Sequence, residues 1–337
     1  MPAHLDPRLL RSFLAVAEEL HFTRAAARLY VAQQALSRDV RRLERDLGVE
    51  LFVRTTRQVT LTADGERLVP HARRVLQAQD DLLAAFGSAR PLLVDLNSPG
   101  LATGRRVLLR ARELAPEQEL MARYESGLTG AAVEIAAGRL DASFGRYAGL
   151  DPALRRQLDH QIVRYEPMAV VLPEDHPLVA LAEVPLAALA GEHVYAGAGN
   201  PRTPEWTGLA RSLFEGRGIE VAAPVPLAVG DEEFRRIMTK TRNPILAVVD
   251  FPAMPGTVVR PLVEPVPLSP VSLVWRKGLV HSALDALRRA ALELGLAESW
   301  LERPDGAWIP AIDMNMTSDH KCDNVNIGRT SALDSST

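Results

Sequence analysis

The sequence predicts a mixed architecture: a small helical head carrying a two-stranded hairpin, one long helix, and an α/β body. Three observations predict it. Phe22 to Arg45, FTRAAARLYVAQQALSRDVRRLER, reads as two short helices joined by a tight turn. Residues 62 to 88 repeat apolar side chains at steps of three and four, and beyond Pro91 short apolar runs alternate with helical stretches. A length of 337 residues allows about two domains with sizeable cores.

In the head, Thr23 is expected to cap the first helix, with Ala25, Ala26 and Leu29 on one face, small enough for close packing. After Val31, the residues Leu36, Val40, Leu43 and Leu47 recur at helical spacing and are expected to face the core. Gln34, Ser37, Arg38, Arg41 and Arg45, with Gln33 beside them, fall on the opposite stripe and stay in water. That stripe has the chemistry of a major-groove reader: Arg bonds a guanine edge bidentately, Gln an adenine edge, Ser either base, and the remaining arginines reach phosphates. A charged stripe alone is more often a solvated helix face. The next segment favours the groove reader: Gly48 ends the helix, and ELFVRTTRQVTLT supplies two short runs around Thr55 and Thr56, a hairpin whose tip carries Arg54 and Arg57. Arginines on such a wing enter a neighbouring minor groove, drawn by its negative potential.

This segment, RSFLAVAEELHFTRAAARLYVAQQALSRDVRRLERDLGVELFVRTTRQVTLTADGERL, resembles the N-terminal winged helix-turn-helix domain of LysR-type transcriptional regulators almost without gaps. The resemblance rests on A-A-x-x-L-x-V-x-Q-x-A-L-S-R from Ala25 to Arg38, then R-x-L-E, L-G-x-x-L-F-x-R and L-T-x-x-G, all in register. Ala32 stands where the family usually has Ser and Gln34 where it usually has Pro. The first removes a helix cap and the second adds a base-reading group, so both bear on the operator sequence more than on DNA binding itself. The resemblance implies double-stranded DNA as partner, a homodimer or homotetramer, a small-molecule effector, and RNA polymerase as a further partner if the protein activates.

The winged head is expected over residues 1–61 and a linker helix over 62–90, opening at Thr62 and running to about Ser88. Leu68, Ala72, Val75, Gln79, Leu82 and Phe86 form one row and Val69, Leu76 and Leu83 a second, as a paired helix needs. Pro70 removes a hydrogen bond and is expected to kink the helix unless it starts there. The family resemblance implies a dimerising helix at this position.

From Pro91 the clearest strands are PLLVDL, SFG, MAVVLP, HVYAGAG, PILAVVD and VSLVW. Between them lie helices at Thr103 to Leu114, Leu209 to Glu215, Glu232 to Lys240 and Ser282 to Leu294. This alternation argues for parallel sheets. It resembles the effector-binding region of the same family, two periplasmic-binding-protein-like subdomains around a cleft. The expected division is 91–163 with 268–296, and 164–267, the whole effector domain spanning 91–296. Ligands of such folds sit beyond strand C-termini, where helix N-termini offer N–H groups and a positive dipole. Ser98, followed by Pro99, is a cap and first-turn pair; Thr129 stands before another helix; and Arg146 follows the SFG strand. Asn200 and Arg202 are expected to face the cleft from the second subdomain, and Asp250 closes a strand there. Two helix N-termini and a guanidinium predict a small organic anion as effector.

The formal net charge of -3 divides unevenly: residues 1–74 hold 13 Arg against 9 Asp plus Glu, or +4, which leaves -7 for the rest. A basic head on an acidic body suits DNA contact confined to one end. Neither a signal peptide nor an apolar run of about 18 residues is found, so no membrane contact and a cytoplasmic location are expected. The only cysteine, Cys322, excludes an internal disulfide framework and a cysteine-rich metal site. No cofactor is expected, and no enzyme: the chain has no G-x-S-x-G elbow, phosphate loop or H-E-x-x-H, and GAGNPR lacks the third glycine of a dinucleotide turn. The competing readings are a metal-sensing regulator, disfavoured by eight scattered histidines, and a solute-binding protein, disfavoured by the arginine stripe. Residues 297–337 form an extension whose WLERPDGAWIPAIDM can pack on the body, with a polar tail expected to be partly disordered.

Overall fold

The structure is a computed structural model. It describes residues 5–29, 31–54, 59–85, 90–97, 101–124, 127–197, 199–225, 232, 236, 238, 240–252 and 254–318. The chain divides into two compact units, Met1–Arg90 and Pro91–Thr337.

The first unit packs α1 (Pro7–Glu19), α2 (Phe22–Arg28) and α3 (Gln33–Leu47) around a core of Leu9, Phe13, Val16, Ala25, Leu36, Val40, Leu43 and Leu51. Strands β1 (Phe52–Arg54) and β2 (Val59–Leu61) form the antiparallel hairpin. Phe52 is buried against Phe13 and Phe22, with ring centroids 5.5 Å and 6.0 Å away, which pins the hairpin to the helices. Two expectations are corrected. His21, not Thr23, caps α2, its Nδ1 accepting from the amides of Thr23 and Arg24; Thr23 lies inside the helix. Leu47, expected in the core row, is exposed in the last turn of α3, beyond the buried Leu36, Val40 and Leu43.

Helix α4 (Ala63–Ala85) starts where expected: the Thr62 hydroxyl accepts from Gly65 N–H and donates to Glu50 C=O. It runs on through Pro70. Its expected second apolar row is corrected, because Val69 and Leu76 pack into the core of the head, as do Leu68 and Ala72. Val75 and Leu82, with Ala78 between them, remain exposed. The side chain of Leu83 and all of Phe86 to Ser88 lie outside the described residues.

In the second unit the elements run β3 (Leu92–Asp95), α5 (Ala102–Leu114), β4 (Leu120–Arg123), α6 (Leu128–Ala136), β5 (Ala142–Gly145), α7 (Pro152–Arg155) and β6 (Leu158–Pro173). Then come β7 (Val184–Pro185), β8 (His193–Val194), α8 (Pro204–Phe214), β9 (Glu220–Val221), β10 (Ile245–Val248), β11 (Thr257–Val263), β12 (Leu268–Arg276), α9 (Ser282–Ala297) and α10 (Ala311–Ser318). The expected helix from Glu232 to Lys240 lies largely outside the described residues.

The expected parallel sheets are corrected to a mixed one. β3 pairs parallel with β4 and β5, but β12 is antiparallel to both β5 and β6, and β6 is antiparallel to β10 and β11. One 16-residue strand explains this. The first part of β6 pairs with β12 as far as Pro167, and its remainder from Met168 pairs with β10 and β11. Two cores lie either side of that crossing. One gathers Val94, Val107, Phe144, Leu273 and Leu287, the other Met168, Val170, Leu209, Leu213 and Leu246. The extension packs across the crossing strands. Trp308 N–H donates to Val266 C=O, Leu268 N–H donates to Trp308 C=O, and Ile309 is buried beside Tyr165 and Leu268.

Candidate nucleic-acid interface and ligand cleft

Helix α3 begins at Ala32 with no side-chain cap, as the missing hydroxyl predicts, and ends at Gly48 in the left-handed conformation that glycine adopts without strain. With Leu36, Val40 and Leu43 fully buried, the other face presents Gln33, Gln34, Arg38, Arg41 and Arg45 to solvent and Ser37 half-buried. The Thr23 hydroxyl donates to Gln33 Oε1 at 3.2 Å and fixes that amide.

Most arginines of this unit are occupied. Arg8 pairs with Asp39, Arg24 with Glu19, Arg28 with Glu18 and Glu19, Arg42 with Asp46, Arg54 with Glu44 and Arg73 with Glu18. Arg38, Arg41 and Arg45 make no hydrogen bond or ion pair among the described residues. They line, with Arg8, Arg11 and Arg42, a shallow groove between α1 and α3.

The wing arginine Arg54 stands in the strand pair next to the hairpin's loop, but the protein itself engages it. Its register partner is Val59, its Nη2 donates to Glu44 Oε2 at 2.6 Å, and its guanidinium lies 4.9 Å over the Phe22 ring. It braces the hairpin against α2 and α3. Arg57 lies outside the described residues.

In the second unit, β5 ends at Gly145 and delivers Arg146 into the interior, only 7% exposed. The guanidinium is already held: Nε and Nη2 donate to Asp313 Oδ2 at 2.9 Å and 2.7 Å, and Nη1 reaches Glu205 C=O at 3.4 Å. Thr129 lies in the first turn of α6, not before it. Its hydroxyl donates to Glu205 Oε2 at 2.6 Å, while Glu205 Oε1 accepts from Leu128 N–H at 3.1 Å. A carboxylate from α8 thus sits on the N-terminus of α6, the place expected for a ligand's carboxylate.

Asn200 and Arg202 belong to the same contact. Asn200 Oδ1 accepts from Arg202 N–H, and the Arg202 backbone presses so closely on Gly127 that a Cβ there would lie 2.2 Å from its carbonyl oxygen. Ser98 and its expected pairing with Pro99 lie outside the described residues; α5 starts at Ala102 behind Leu101. Asp250 accepts from Arg164 at 2.7 Å; Arg164 also donates to Thr103 Oγ1, which donates to Glu166 at 2.5 Å.

Burial raises Glu166, Glu205 and Asp313 above the ordinary carboxylate range, although Arg146 pulls Asp313 the other way. Sequence reasoning missed Glu205, Asp313, Thr103, Arg164 and Glu166. Each meets a partner far away in the chain, and nothing in the spacing marks that partner. Among the described residues no helix is long and apolar enough to cross a membrane, and no group of three or more His, Cys, Asp or Glu is placed to hold a metal ion.

Residues 7–66 match the bacterial regulatory helix-turn-helix protein family of LysR type, and residues 105–295 match the LysR substrate binding domain. The chain belongs to the LysR family. It is a DNA-binding transcriptional regulator with an effector-binding domain. Among curated relatives, the uncharacterized regulator YnfL of Escherichia coli is 36% identical over 56% of this chain, a match spanning 64% of that relative and so just under two thirds of it. The regulator XapR of the same organism is 32% identical over 78% of this chain and 89% of its own. Among solved structures, a variant of full-length OxyR from Pseudomonas aeruginosa has a TM-score of 0.61 at 25% identity, covering 87% of this chain and 95% of that one. In this LysR-type regulator Thr129, Arg146, Asn200, Arg202 and Asp250 fall within the matched effector region, whereas Asp313 lies beyond it.

Proposed function

We propose that this LysR-type regulator reads its operator through Gln33, Gln34, Ser37, Arg38, Arg41 and Arg45, as a cytoplasmic homodimer, and that a small organic anion bound between the subdomains modulates it. The observation that carries the DNA reading is the contrast among arginines: neighbours are tied to carboxylates, while Arg38, Arg41 and Arg45 stand in water on one face. Such a face gains by meeting phosphates and base edges, because it gives up no internal ion pair. Thr23 takes part by orienting Gln33. Arg57 joins through the minor groove, and Arg54 acts by holding the wing.

The dimer seam we assign to Val75, Ala78 and Leu82, which repeat at steps of three and four on the exposed side of α4. A mobility shift on the DNA upstream of the regulator's own gene tests the reading: the parent chain shifts a discrete fragment, and Arg38→Ala loses preference for it. Light scattering tests the seam. Val75→Asp with Leu82→Asp should halve the mass, since charges in an apolar seam cannot be solvated; an unchanged dimer would assign pairing to another surface.

Supporting the anionic class are Arg146 and the N-terminus of α6, each of which has a carboxylate of the chain itself as partner. Thr129, Asn200 and Arg202, together with Ser98, border that region in this reading.

A further inference from the structure

The contact between Arg146 and Asp313 joins the region matched to the LysR substrate binding domain to a helix outside it. The matched region ends at Gly295, and helix α10 begins only at Ala311. That helix is placed by the bridge between Trp308 and Pro267, at the start of β12. Of its described side chains, Ala311, Ile312 and Met314 are exposed and only Asp313 is buried, at 4%. Among the described side chains of the helix it is Asp313 that reaches the interior, where one of its carboxylate oxygens is shared by Arg146 Nε and Nη2.

A guanidinium as buried as Arg146 needs a counter-charge, because removing it from water costs several kcal/mol unless it is paired. We propose that α10 is a built-in ligand: Asp313 fills the carboxylate seat on Arg146, and an anionic effector enters that seat by replacing it. This rests on the effector reading proposed above and adds the occupant and the exchange. Arg146 then always has a carboxylate, the chain's own or the effector's, so the exchange conserves the buried ion pair. A short tether keeps the internal carboxylate at high effective concentration, so only a ligand that also gains other contacts in the cleft displaces it.

The test is calorimetric titration of the full chain and of Asp313→Ala with benzoate and succinate, and with benzamide and succinamide as neutral counterparts. A helix docked nine-tenths of the time lowers apparent affinity about tenfold, so Asp313→Ala should bind the carboxylates about tenfold more tightly and the amides no differently. The gain should vanish when Arg146→Met is added. Asp313→Asn, which keeps the shape but not the charge, should give a smaller gain and replaces the alanine variant if that one does not fold. In the parent chain, succinate should speed hydrogen exchange at residues 311–318.

Equal carboxylate affinity with and without Asp313, a gain that survives loss of Arg146, or no carboxylate binding by Asp313→Ala would each overturn the inference. Carboxylate binding lost in Arg146→Met yet unchanged in Asp313→Ala would leave the anionic effector standing and remove only the built-in ligand. Carboxylate binding indifferent to Arg146 would remove both.

Discussion

Arginine plays opposite parts in the two units. On α3, Arg38, Arg41 and Arg45 lie exposed without internal partners among the described residues, while Arg146 in the body is almost fully buried and bound to Asp313. The difference follows from solvation. Water solvates an exposed guanidinium at little cost, so the sequence can leave it unpaired for a partner, whereas a buried one must be paired where it stands. In the proposed reading the free arginines serve an interface on the surface, and the paired one serves a seat in the interior.

The largest expected effect bears on the buried side of that comparison. Glu205→Ala leaves Leu128 N–H and the Thr129 hydroxyl without an acceptor under the Arg202 loop, and should cost roughly 2–4 kcal/mol in urea unfolding of the body. A loss below about 0.5 kcal/mol would mean that water replaces the carboxylate freely, and that the seat is not interior.

Next comes the exposed side. Arg38→Ala should weaken operator binding by roughly 1–3 kcal/mol and relax base preference, while unfolding stability stays within about 0.5 kcal/mol of the parent. Unchanged affinity and selectivity would remove the helix face from the reading. Arg54→Ala should do the reverse: roughly 0.5–1.5 kcal/mol of head stability lost with Glu44 and Phe22 unpaired, and base preference retained. If Arg54→Ala instead changed base preference as Arg38→Ala does, the division between bracing and reading arginines would fail.

The smallest effect is a pH dependence. Burial raises Glu205 in the folded state, so its contribution to stability is fully present below the ordinary carboxylate value of about 4.3 and is lost as pH rises through the raised folded value. Glu205→Gln keeps an acceptor for Leu128 and carries no charge to desolvate. It should melt above the parent at about pH 8, and the gap should narrow as pH falls towards about 5. A gap that is constant with pH would show that Glu205 is not the titrating group.

The head was the more legible half. Its elements are short and consecutive, so the apolar period that buries Leu36, Val40 and Leu43 also dictates which arginines point away. Even there, neighbours decided details: His21 took the cap from Thr23, and Glu44 took up Arg54 on the wing. In α4 the spacing offered two apolar rows, and only packing assigned Val69 and Leu76 to the head's core and left Val75 and Leu82 in water. In the body the sequence marked strands and helix starts, but not that one strand, β6, serves both halves and turns an expected parallel sheet into a mixed one.

By itself the sequence determined the family, the exposed arginine face of α3 and the α/β texture, because those depend on residues close together in the chain and on their period. Only the tertiary structure decided which groups meet in the interior of the body. Thr129 meets Glu205 across 76 residues and Arg146 meets Asp313 across 167. Which carboxylate neutralises a buried arginine is set by where distant segments dock, and no local pattern encodes that.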